Sequence, residues 1–114
     1  MIIIYHNSRC KKSREALKFL LNKKIDVQVI EYLKNGLTVN EIKILLEKLK
    51  LNPIENVRKK ENIWKNQFKN KKLDNKEIIN AIVENPILLE RPVICNENEA
   101  MLARCYESII SITG

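Results

Sequence analysis

The sequence predicts an α/β chain built on a mixed four-stranded sheet, with a helical stretch set between the two halves of that sheet. Three observations carry this. A short apolar run, Ile2 to Tyr5, is followed by a helix-period segment and then by a second alternating run ending near Tyr32. Strand, helix, strand at this spacing is a βαβ unit, whose two strands pair in parallel. A helical stretch of roughly 50 residues follows. Last come two short apolar runs separated only by Asn96 to Glu99. Strands joined so closely run antiparallel.

Ile2 to Tyr5 is uninterrupted and apolar, as expected of a short buried strand. From Lys11 to Asn22 there is no Gly or Pro, and Ala16, Leu17, Leu20 and Leu21 are expected on one face of a helix. Val27 and Val29, flanked by Ile25, alternate with polar residues, which predicts a strand over Asp26 to Tyr32. Gly36 breaks the chain. Thr38 and Glu41 have the spacing of a capping box, before Ile42, Leu45, Leu46 and Leu49 at helical intervals. Asn52-Pro53 reads as another helix start. The polar stretch Lys59 to Lys72, with Trp64 and Phe68 four apart, predicts a short helix. Asp74 and Glu77 form a second capping box ahead of Ile78, Ile79 and Ile82, and Asn85-Pro86 ends that helix. Pro92 to Cys95 and Ala100 to Ala103 are the last two strands, and a closing helix carries Tyr106, Ile109 and Ile110. This order is a thioredoxin-like plan in a single domain over residues 1–114, with a helical insert over about residues 38–85.

Composition narrows the function. At 114 residues and 45% hydrophobic content the chain can bury one core. Its apolar runs fall far short of the ~18–20 residues that span a bilayer, and no signal peptide opens it, so a soluble protein is expected. Three cysteines, Cys10, Cys95 and Cys105, form no Cys-x-x-Cys pair, and one histidine cannot build a zinc cluster. A reducing cytoplasm is the expected compartment. The net charge of +7 invites a nucleic-acid reading, but lysines and acidic residues are interspersed, which argues against it. Lysine supplies 16 cations and arginine five: Arg9, Arg14, Arg58, Arg91 and Arg104. Where lysine is the default cation, arginine marks candidate sites for forked recognition of an anion.

Cys10 is the candidate nucleophile. It falls between the first strand and the first helix, where unpaired N–H groups and the helix dipole favour a thiolate. Arg9, Lys11 and Lys12 add positive charge. Ser13 completes Cys-Lys-Lys-Ser, so a local disulfide is impossible, and its hydroxyl is placed to hydrogen-bond the thiolate one turn away. His6 and Asn7 lie just before the cysteine, and His6 is a candidate to hold the thiolate or orient a ligand. A packing role is the alternative for each of these side chains, Cys10 included.

Tyr5-His6-Asn7-Ser8-Arg9-Cys10-Lys11-Lys12-Ser13 resembles the opening of the glutaredoxin-linked arsenate reductase family, with its His-Asn-Pro-x-Cys-x-x-Ser pattern. Glu31-Tyr32-Leu33, Val57-Arg58-Lys59-Lys60, Glu84 to Ile94 around Arg91-Pro92, and Arg104 match further family stretches in order. The resemblance implies a thioredoxin-like fold, a cis Arg91-Pro92 bond, and an oxyanion site built from Cys10, Arg58, Arg91 and Arg104. It implies arsenate or a similar oxyanion as substrate, glutathione as co-substrate, glutaredoxin as partner, and neither a metal nor a bound cofactor. Ser8 departs from the family's proline, removing one lock on the loop before Cys10, and Asn96 to Glu99 lacks the glycines often seen in that hairpin. Cys105 follows Arg104 where proline is common. It is expected to pack as a small apolar residue, with an internal resolving thiol as the alternative. A second branch resembles the Spx regulators, which contact RNA polymerase without enzymatic activity and usually carry Cys-x-x-Cys. That non-enzymatic, redox-binding reading is the alternative function. The three arginines and Cys10-Lys-Lys-Ser13 favour the oxidoreductase.

Overall fold

Ile2–Tyr5 forms β1 with alternate residues buried, Ile2 and Ile4 inward. In this computed structural model, residues 2–103 and 106–113 are described, the side chains of 106–108 and 113 excepted. β1 pairs in parallel with β2 (Val27–Ile30), joined by α1 (Lys11–Asn22). β1 also pairs antiparallel with β3 (Val93–Cys95), which pairs antiparallel with β4 (Ala100–Leu102). The sheet order is β2-β1-β3-β4. The Asn96 carboxamide closes the last hairpin by accepting from the N–H groups of Asn98 and Glu99, so the turn holds without glycine.

The chain forms two compact units, Met1–Asn35 with Arg91–Gly114, and Gly36–Glu90. In the first, Ile2, Ile4 and Ile94 meet Ala16 and Leu20 of α1 and Ile109 and Ile112 of the closing helix, Tyr106–Thr113. Leu21, expected on the inner face of α1, is 57% exposed. The apolar contacts of that helix are made by Ala16 and Leu20, with Leu17 at their margin. β2 is an edge strand and stops at Ile30, short of the expected Tyr32. Tyr32–Asn35 turns into α2, carrying the Tyr32 ring into the interior.

Gly36, at φ +74°, opens the second unit in a conformation that only glycine adopts without strain. α3 (Val39–Leu49) starts on the expected capping box, Glu41 N–H to Thr38 Oγ1 and Thr38 N–H to Glu41 Oε1, both 3.1 Å. Asn52-Pro53 starts a single 3-10 turn, Pro53–Asn56. α4 (Asn62–Gln67) is shorter than the polar stretch around it and ends on a Trp64–Phe68 ring stack, centroids 5.5 Å apart. α5 (Asn75–Glu84) starts on the Asp74–Glu77 box and stops before Pro86. Ile42, Leu45 and Leu46 of α3 and Ile78, Ile79 and Ile82 of α5 are buried, and the two helices pack together. No helix among the described residues is long and apolar enough to cross a membrane.

Candidate active site

Cys10 is the N-cap of α1, with extended backbone at φ −96°, ψ 123°. Its N–H donates to Asn7 O and its carbonyl accepts from Arg14 N–H, each at 3.0 Å. It is partly exposed, its sulfur makes no capping bond, and the first turn of α1 holds no acidic residue. The helix start therefore offers its unpaired N–H groups and partial positive charge to whatever anion stands at Cys10.

The loop before Cys10 is locked without the family's proline. Asn7 Oδ1 accepts from Arg9 N–H at 3.0 Å, an Asx turn. The Arg14 guanidinium donates to Ser8 O at 3.0 Å. Ser13, fully buried on α1, accepts from Asn7 N–H at 3.0 Å, and its Oγ lies 2.6 Å from His6 Nδ1. In the tautomer with the ring proton on Nε2, the Ser13 hydroxyl donates to Nδ1. The expected bond from Ser13 to the Cys10 thiolate is not among these contacts. Ser13 supports the cysteine by fixing the loop that presents it.

His6 is 7% exposed. Burial lowers its pKa from the usual 6.5; Glu31 opposes this and the Arg14 guanidinium reinforces it, so the ring is neutral near pH 7. Glu31 was not anticipated as part of this site. Nothing local marks it, since β2 is brought beside His6 only by parallel pairing, seen in the bond from His6 N–H to Ile30 O.

Arg91 and Pro92 precede β3, and the antiparallel register Tyr5–Val93 sets them at the sheet end from which His6 and Asn7 emerge. The Arg91-Pro92 peptide bond is cis, as the family resemblance implies. Ala103 N–H donates to Pro92 O at 2.8 Å, tying the end of the last strand to the same place. Arg91 Nε is buried, with no hydrogen-bond partner among the described residues. Arg104 and Cys105 lie outside the described residues.

Arg58 belongs to the second unit. Its Nη2 lies 2.9 Å from Glu61 Oε2 and its Nε 3.8 Å from Glu90 Oε1, with the side chain 19% exposed. Two carboxylates thus hold a half-buried guanidinium and leave Nη1 for another acceptor. The sequence marks Arg58 as a candidate fork for an anion, beside Lys59 and Lys60. Its ion pairs with Glu61 and Glu90 orient that fork.

A four-stranded mixed sheet of order β2-β1-β3-β4, with a cysteine at the first helix start and a cis-proline leading into β3, has the thioredoxin-like plan. Within that class the chain belongs to the ArsC family, whose model matches residues 5–111. It is 35% identical over 113 residues to the arsenate reductase of Haemophilus influenzae, covering 97% of each chain. It is equally similar, with the same coverage, to the arsenate reductase of Neisseria meningitidis serogroup A. The structure of the arsenate reductase from Vibrio cholerae superposes with a TM-score of 0.90 at 36% identity, over 97% of this chain and 96% of that one.

Proposed function

We propose that this protein is an oxidoreductase that reduces arsenate to arsenite, with Cys10 as nucleophile and glutathione and glutaredoxin as electron donors. Full-length similarity to proteins named arsenate reductases carries this reading. The Cys10 thiolate attacks arsenic; an As–S bond forms and hydroxide leaves as water. Glutathione then attacks the adduct. A sulfur–sulfur bond forms, the As–S bond breaks, and its electron pair stays on arsenic, which falls from As(V) to As(III). The Cys10–glutathione mixed disulfide is resolved by glutaredoxin.

Arg58, Arg91 and Arg104 are assigned to the oxyanion by the family pattern. A guanidinium supplies forked, charge-assisted hydrogen bonds to a tetrahedral oxyanion. Arg91, whose Nε lacks a partner among the described residues, and Arg58, held by two glutamates, both retain donors for it. The cytoplasm is the compartment in which such a thiol stays reduced. The test is arsenate-dependent NADPH oxidation, coupled through glutathione, glutaredoxin and glutathione reductase. Activity is expected in the native protein and absent in Cys10→Ser. Oxidation by the native protein no faster than by Cys10→Ser overturns the reading.

A further inference from the structure

At the end of the sheet where β1 and β2 stop, a cleft of about 250 Å3 opens beside the Cys10 loop. His6, Asn7 and Arg9 line one side, and Glu31, Leu33 and Lys34 the other. Arg9 is bonded directly to Cys10, so the cleft begins one residue from the sulfur. His6 and Asn7 are each more than nine-tenths buried. Their inner atoms are spent, His6 Nδ1 on Ser13 and Asn7 Oδ1 on Arg9 N–H. His6 Nε2 and Asn7 Nδ2 have no partner among the described residues. Two nearly buried side chains that line an open cleft therefore keep polar nitrogens without a partner among the described residues.

The charge pattern is wrong for arsenate and right for a zwitterion. Glu31 repels a multiply charged oxyanion, but Glu31 beside Arg9 and Lys34 matches the ammonium and carboxylate of an amino-acid head. The existing Glu31–Lys34 contact, 3.4 Å and 38% and 70% exposed, is a weak surface pair that a ligand displaces at small cost. The volume is below the ~300–1,000 Å3 of pockets that enclose a whole drug-sized ligand, and suits one end of a small peptide.

We infer that this cleft binds an amino-acid head of the peptide thiol that reacts with Cys10, with Glu31 taking the ammonium and Asn7, Arg9 and His6 Nε2 the carboxylate. The inference rests on the glutathione-dependent reading above, and it gives that reading a specificity site distinct from the oxyanion arginines.

The test uses thiol–disulfide exchange, in which the Cys10 thiolate attacks one disulfide sulfur, a mixed disulfide forms and the other thiolate leaves. Rates are measured by intact mass with peptide mapping to Cys10, using glutathione disulfide and, separately, 2-hydroxyethyl disulfide. The native protein is expected to prefer glutathione disulfide. Glu31→Gln is expected to slow that reaction about tenfold, the scale of one lost charge-assisted contact, while the 2-hydroxyethyl disulfide rate stays within about twofold. Equal slowing with both reagents would place the effect of Glu31 on the thiol and overturn the inference. So would an unchanged preference, or no preference in the native protein. Arsenate takes no part in this assay, so failure here and failure of the arsenate assay are separate results.

Discussion

His6 and Ser13, seven residues apart and on different elements, meet through a 2.6 Å contact between Nδ1 and Oγ. Both are buried, and Asn7 N–H joins the same hydroxyl. One side chain of α1 thus anchors the turn that delivers Cys10. Removing that hydroxyl leaves two buried groups without a partner. Ser13→Ala is expected to destabilise the protein by roughly 1–3 kcal/mol. Urea unfolding measures this, and a loss below about 0.5 kcal/mol would contradict the network.

The His6 pKa carries a pH dependence whose sign is fixed. The folded ring is harder to protonate than the unfolded one, because burial disfavours its charged form. Below the ordinary value of 6.5 the unfolded chain binds the proton first, so this contribution is whole above that pH and declines as pH falls through it. The decline levels off once the folded ring also titrates. Unfolding free energies at pH 7.5 and 5.5 measure it. His6→Gln is expected to shrink the difference between them.

Arg91 is the sharpest test of the oxyanion arginines. Arg91→Lys keeps the charge and loses the planar fork. Loss of one such donor to a transition state costs about 2.7–4 kcal/mol, so kcat for arsenate is expected to fall about a hundredfold or more, with the circular dichroism spectrum unchanged. Turnover at the native rate would remove Arg91 from the site.

The second unit has its own check. Asp74 Oδ1 accepts from Glu77 N–H at 2.8 Å and opens α5. Asp74→Ala is expected to cost about 1 kcal/mol, the usual worth of such a cap. Thermal unfolding reads it as a lower Tm.

What the sequence made legible follows from how local each cause is. The first strand, α1 and both capping boxes rest on spacings within a few residues, and they stand as expected. The exposure of Leu21 could not be read, because the inner face of α1 is chosen by Ile109 and Ile112 from the far end of the chain. The approach of Glu31 to His6 depends on strand pairing, and that of Glu90 to Arg58 on a bond between residues far apart, Glu90 N–H to Asn56 O. Motif reading singles out Cys10 and the arginines. It is blind to the carboxylates that orient or oppose them, because an acidic surface residue carries no periodic mark.

Trp64, the sole tryptophan, is stacked on Phe68 in the unit 36–90, whereas Cys10, His6 and Arg91 stand in the other unit. Intrinsic fluorescence excited at the indole band therefore watches the half of the molecule that does not hold the thiol. An emission-monitored melt reports the insert. Labelling of the Cys95 sulfur, buried on β3 of the sheet, reports the half that carries Cys10. If the two curves coincide, unfolding is a single cooperative event. If they separate, the insert has a stability of its own, and Cys10 variants must be followed by the thiol probe.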